Sequence, residues 1–215
     1  MRTDELIAIL AGDATPTPPG RARQRLLLAC LAGVLGAAAL VFGSHILPAK
    51  HDFSTVILTA PFWMKPAYAA WLAVGAFMLV DAMGRPGAKA DAGRLVGAAA
   101  FAAIAGLAAV NLALTAPDNR MHAIMGSSWW FCPIAIVISA VPALIAVMIA
   151  LRAMAPTRLV RAGLAAGLLA GGVGASIYAL WCRETTAAFV AVWYTLGIVA
   201  CGGVGALLGP LVLRW

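Results

Sequence analysis

Charge is what this sequence has least of. Charged residues are 11% of the 215-residue chain, and only eight are acidic. A soluble domain carries about a quarter charged residues. No charged residue falls in the middle of any long apolar run, where ion pumps and coupled transporters usually keep one. Also missing are a glycine-rich nucleotide loop, a defensible Ser-His-Asp set and a His-Glu-x-x-His zinc motif. No Cys-x-x-Cys and no clean Cys/His metal spacing occurs among the four cysteines and three histidines. No sequence repeat links the two halves, so an inverted-repeat transporter is not supported. A cleavable leader is not expected either, because the first apolar run begins only at Leu26 and reads as a retained span.

Apolar residues, by contrast, make up 63% of the chain. No soluble core could bury that much, so lipid must be the solvent. The expected fold is all-α: a polytopic membrane bundle of six transmembrane helices preceded by a short N-terminal cytoplasmic helix. Residues 1–25 form the cytoplasmic segment and residues 26–215 the membrane domain. The spans are expected at about 26–47, 67–83, 95–115, 133–151, 162–181 and 189–213. Residues 53–64 are apolar but interrupted by Pro61 and followed by Pro66, and are expected to lie along the outer interface. The joints hold breakers or charge, as at Pro117-Asp118-Asn119-Arg120.

Orientation follows from the basic residues. Arg2, Arg21, Arg23, Arg25, Arg85, Lys89, Arg94, Arg152, Arg158, Arg161 and Arg214 fall on one side; Lys50, Lys65, Arg120 and Arg183 fall on the other. The excess places both termini in the cytoplasm. The net charge of +7 gathers at helix ends, not along one face, so direct nucleic-acid binding is not expected.

Residues 3–11 can form a helix capped by Thr3, with Asp4 and Glu5 in its first turn. Leu6, Ile9 and Leu10 share one face, with Ile7 beside them. So short a helix needs a surface to lie on. Two readings stand: an interfacial anchor on membrane lipid or a partner-binding helix. A proline-rich linker, residues 13–20, follows.

Span interfaces are legible too. Gly163, Gly167, Gly171, Ala175 and Ala179 recur every four residues, as do Gly197, Cys201, Gly205 and Gly209, so the fifth and sixth spans are expected to pack closely. Pro142, inside the fourth span, removes one backbone hydrogen bond. Asp81 and Arg85 are spaced for a helix-end ion pair.

The chemistry-bearing groups crowd the outer side. Cys132 and Cys182 stand at opposite ends of a hairpin with arms of matched length, each beside a tryptophan, so both thiols should meet the same membrane face. Thiols with histidines suit transition metals or thiol redox chemistry. His45, His51 and His122 are outer-face histidines, of which His122 is a weak candidate metal ligand beside Cys132 and Cys182. Cys30 and Cys201 read as small buried apolar residues.

The chain also resembles the NrsF-type family of six-span anti-sigma factors, negative regulators of extracytoplasmic-function sigma factors. The residues that carry the likeness are Thr3 through Asp13-Ala14, Cys132-Pro133, Ala162-Gly163 to Gly171, Tyr178-Ala179-Leu180 before Cys182 and Glu184, Trp193-Tyr194-x-Leu196-Gly197, and Leu208-Gly209-Pro210 to Trp215. Arg183 and Leu211 depart from the pattern, which has proline and often arginine there. The resemblance implies a non-enzymatic inner-membrane protein that sequesters a sigma factor. It implies release when the outer pair Cys132 and Cys182 senses metal or oxidant, with no required cofactor and at most a transient metal ion at the pair. Asp4, Leu6, Ile7, Ile9 and Leu10 would then contact the sigma factor. A membrane thiol oxidoreductase and a small permease are the alternatives.

Overall fold

The computed structural model describes Thr3, Glu5 and residues 20–43, 59–85 and 90–214. Among these the protein is helical with no strand. The long helices are α1 (Arg21–Gly43), α2 (Ala60–Met83), α3 (Asp91–Leu114), α5 (Cys132–Arg152), α6 (Leu159–Ala179) and α7 (Ala187–Val212), with a short α4 (Pro117–Met125) before α5. All six long helices are long and apolar enough to cross a membrane. Their outward faces carry Leu27, Leu31 and Leu35 on α1, Leu107 and Leu114 on α3, and Leu207 and Leu211 on α7, all exposed. An apolar outer surface over helices that satisfy their own backbone polar groups is what a hydrocarbon solvent requires.

Helix α6 is the hub, and its glycines explain why. Gly163 and Gly167 lie against the main chain of α7, where any Cβ would run into the carbonyls of Gly205 and Cys201. A Cβ on Gly172 would stand 2.9 Å from Ala73 of α2, and one on Gly174 2.6 Å from the backbone nitrogen of Ala140 of α5. Three faces of one helix are thus stripped to the backbone, and three neighbours close on them. Helix α3, the least buried span, packs on α2 and on the start of α7.

Two prolines that read as breakers do not break. The second span starts at Pro61, not near residue 67, because Pro61 occupies the first turn of α2 and Pro66 is carried inside the helix. A first-turn proline gives up an N–H that had no intrahelical partner anyway. Pro117 likewise opens α4, with Asp118 in its first turn, so the expected joint is a helix. Helix α5 runs on through Pro142, and Gly36 of α1 makes room for that ring: a Cβ there would approach the proline Cβ to 2.6 Å. Helix α7 contains one π-helical turn, Val190–Tyr194. The Asp81–Arg85 ion pair forms at 2.8 Å.

The ends of α2, α3, α5 and α6 that carry Arg85, Arg94, Arg158 and Arg161 converge on a cleft of about 450 Å³. The two cysteines at the ends of the α5–α6 hairpin lie at the opposite end of the bundle.

Candidate functional site

The site is assembled from four helices and two loops. Cys132 is the first residue of α5, its backbone N–H bonded to the Ser128 carbonyl at 3.0 Å. Cys182 follows α6, its N–H bonded to the Tyr178 carbonyl at 3.0 Å. Equal arms bring both ends to one level, and the two Sγ atoms are 3.5 Å apart as free, hydrogen-bonded thiols. Both are buried, at 0% and 3% exposure.

Two tyrosines roof the pair. The Tyr178 hydroxyl lies 3.5 Å from the Cys132 sulfur. Tyr194 comes from the π-helical turn of α7 and is fully buried. Its hydroxyl meets no partner in hydrogen-bonding geometry. Buried hydroxyls are rarely left so.

Lys65 completes the chamber. Its side chain is 0% exposed, and Nζ donates to the Cys182 carbonyl at 2.6 Å. The ammonium also lies 5.9 Å from the Phe62 ring centroid. Among the described residues no carboxylate pairs with it within salt-bridge distance. Cys182 is held below the usual thiol range, at about 6. The hydrogen bond from Cys132 is the main cause; burial opposes it, and the Lys65 charge and the Glu184 backbone N–H add to it.

The two loops are tied to one another. Glu184 Oε1 accepts from the Ser127 backbone N–H, the Ser127 hydroxyl and the Ser128 hydroxyl, at 2.8, 2.6 and 3.2 Å. Gly126, at φ +57°, turns the chain beneath that carboxylate; a Cβ there would stand 2.7 Å from it. The Thr186 hydroxyl donates to the Ala123 carbonyl at 2.7 Å and Trp193 Nε1 to the Ile124 carbonyl at 2.9 Å, fixing α4 to the start of α7.

The structure thus brings together the two thiols that the hairpin argument picked out. His122 sits exposed on α4. Among the described residues no group of three His, Cys, Asp or Glu gathers to hold a metal ion. Two soft sulfurs side by side still suit a soft cation or a two-electron oxidant. Cys201 is buried in the α6–α7 contact and Cys30 is half-buried on α1. Thr3 and Glu5 are helical and exposed. Asp4, Leu6, Ile7, Ile9 and Leu10 lie outside the described residues, as do His45 and His51. Sequence reasoning placed Lys65 with the outer charges and did not connect it to the thiols. The signal was a lysine inside an apolar run, four residues after Pro61.

Comparison with known proteins follows the same outline. No solved structure matches the chain. The anti-sigma-F factor NrsF of Caulobacter vibrioides is 40% identical over 221 residues, covering all of both chains. The probable anti-sigma-F factor NrsF of Azospira oryzae is 38% identical over 218 residues, again covering both completely. Residues 10–215 match the family described as NrsF, negative regulator of sigma F. A six-helix membrane bundle with full-length likeness to two such regulators belongs to the NrsF family of anti-sigma factors.

Proposed function

We propose that this protein is an inner-membrane anti-sigma factor. It holds a sigma factor of the extracytoplasmic-function class at the cytoplasmic face, where both termini lie, and releases it when Cys132 and Cys182 respond to oxidant or to a soft metal ion. Full-length similarity to two anti-sigma-F factors supports the regulatory role. The arginine excess at the end of the bundle away from the thiols supports the orientation. The observation that carries the sensing role is the 3.5 Å approach of two thiols separated by fifty positions of chain.

Each signal would act on that contact. Oxidation replaces a hydrogen-bonded pair with a bond of about 2.0 Å, drawing the ends of α5 and α6 together. A soft cation inserted between the sulfurs drives them apart. Release needs a difference in sigma affinity between the two states, and a tenfold loss of affinity needs only about 1.4 kcal/mol. The residue 3–11 helix, through Asp4, Leu6, Ile7, Ile9 and Leu10, is the proposed sigma contact.

The test is co-purification. The full chain, expressed with its sigma factor, should retain it in membranes and lose it on adding a thiol oxidant or a soft divalent cation. Cys132→Ser and Cys182→Ser should keep the sigma factor bound under both treatments. Unimpaired release from the double variant would end the sensing role, and absence of any sigma factor would end the regulatory one.

A further inference from the structure

Two cavities meet at one arginine. The cleft of about 450 Å³ at the end of the bundle away from the thiols is lined by Arg85, Arg94, Arg158 and Arg161. A second cavity, of about 320 Å³, lies between α2, α3, α6 and α7, and Arg94 lines it too. The rest of its wall is apolar side chain and glycine, save Tyr68 and Thr195, whose hydroxyls satisfy one another at 2.7 Å. Phe101 and Val199 on that wall are exposed, so the cavity is a groove on the outer surface of the bundle. Along α2 it reaches from Leu79, near the arginine end, to Tyr68. That stretch of helix rises about 16 Å, close to half of a hydrocarbon core of about 30 Å. The groove therefore has the depth of one leaflet.

Orientation alone accounts for arginines at helix ends. It does not require them to face one cleft, nor that cleft to run on into an apolar groove. Arg85 and Arg94 have Asp81 and Asp91 as partners, at 2.8 and 3.5 Å. Among the described residues no carboxylate lies within salt-bridge distance of Arg158 or Arg161, and no acidic side chain lines the cleft. The cleft thus holds uncompensated positive charge. Guanidinium groups bind phosphate oxygens in a two-pronged fashion. An acidic peptide from the water would satisfy the charge and leave the groove empty. A phospholipid fills both, with a fixed anion at one end and apolar chains at the other. A zwitterionic headgroup would bring an ammonium into the same cleft and gain less.

We propose that the two cavities are one site for an anionic diacyl phospholipid, drawn from the leaflet at the arginine end. The phosphate sits in the cleft against Arg158 and Arg161. One acyl chain passes Arg94 and lies in the groove. There it packs α3, the least buried span, against Leu168 of α6 and Ile198 of α7.

The experiment is native mass spectrometry of the full-length protein in a non-ionic detergent. Phosphatidylglycerol and phosphatidylcholine with identical chains are the probes. One phosphatidylglycerol should bind about tenfold more tightly than phosphatidylcholine. Arg158→Gln with Arg161→Gln should remove that preference, weakening phosphatidylglycerol about tenfold and leaving phosphatidylcholine unchanged. Gly97 lines the groove, and nothing stands within 4 Å of the place its Cβ would take. Gly97→Leu can therefore occupy groove space without a clash, and should weaken both lipids. Glycerol phosphate, a headgroup without chains, should not displace the bound lipid. Equal binding of the two lipids by the unaltered chain overturns the proposal, and that comparison needs no variant to fold. Displacement by glycerol phosphate, with Gly97→Leu binding as the unaltered chain does, would leave a bare phosphate site and overturn it as well. So would an arginine variant that keeps its lipid preference but no longer retains the sigma factor, since the cleft would then belong to an acidic protein segment.

Discussion

Glu184 accepts hydrogen bonds from both the backbone N–H and the hydroxyl of Ser127, at 2.8 and 2.6 Å, across 57 residues of chain. One carboxylate oxygen thereby clamps the loop leading into Cys132 to the loop leaving Cys182. Two sulfurs at the ends of separate helices hold a fixed separation only if the loops beyond them are fixed too. Glu184→Ala should lower the unfolding temperature of the detergent-solubilised protein, by the equivalent of about 1 kcal/mol for a partly exposed, charge-assisted bond. It should also slow disulfide formation between Cys132 and Cys182, read by mass spectrometry of the trapped peptides.

The helix contact at the hub gives a second expectation. Gly167 faces the Cys201 carbonyl so closely that no Cβ fits, whereas Gly203, on the same pair of helices, has nothing near it. Gly167→Leu should cost about 3 kcal/mol or more and leave little monodisperse protein on size-exclusion chromatography. Gly203→Ala should be tolerated or slightly stabilising.

Acid should silence the thiols late. The reactive form of Cys182 is the thiolate, and its pKa is lowered from 9.0 to about 6, first by the Cys132 hydrogen bond. Lowering the pH through 6 should cut the oxidation rate about tenfold per unit. An unperturbed thiol would already have lost its thiolate by pH 7. The same linkage acts on folding: a folded-state pKa below the unfolded one stabilises the protein fully above pH 9, and this contribution is lost as pH falls through about 6. A pH series of thermal melts on wild type and Cys182→Ser checks the sign.

Tyr194 carries a fully buried hydroxyl with no hydrogen-bond partner. Removing an unsatisfied polar atom without changing the ring should relieve about 1 kcal/mol. Tyr194→Phe should therefore raise the unfolding temperature. A fall would mean that the hydroxyl holds the Cys182 thiolate more strongly than its geometry suggests.

For the sigma contact, Leu6→Asp and Leu10→Asp should each abolish co-purification of the sigma factor while leaving the six-span bundle folded by circular dichroism. Normal retention in both would remove the N-terminal helix from the mechanism.

Much of this was legible in the residues. Lipid demands helices of about 20 apolar residues, so the spans stand out in the sequence, and the hairpin arms put Cys132 and Cys182 at one level. The four-residue spacing of Gly163, Gly167 and Gly171 announced the backbone contact with α7. Proline misled where its position in the helix matters more than its identity: Pro61 and Pro117 begin helices. Lys65 was hidden for a different reason. Its partner lies 117 positions away, and neither periodicity nor charge counting registers a contact between a lysine and a distant backbone carbonyl. The π-helical turn that delivers Tyr194 is made of ordinary helix-compatible residues and leaves no mark in the sequence.

The bare-backbone seam between α6 and α7 has a mechanical corollary. Side chains absorb small displacements by hopping between rotamers, and where main chain abuts main chain there is nothing to hop. The seam runs from Gly163 to Gly171, roughly 12 Å of α6. A displacement that enters this seam at Gly171 meets no rotamer to absorb it before Gly163, near the arginine end.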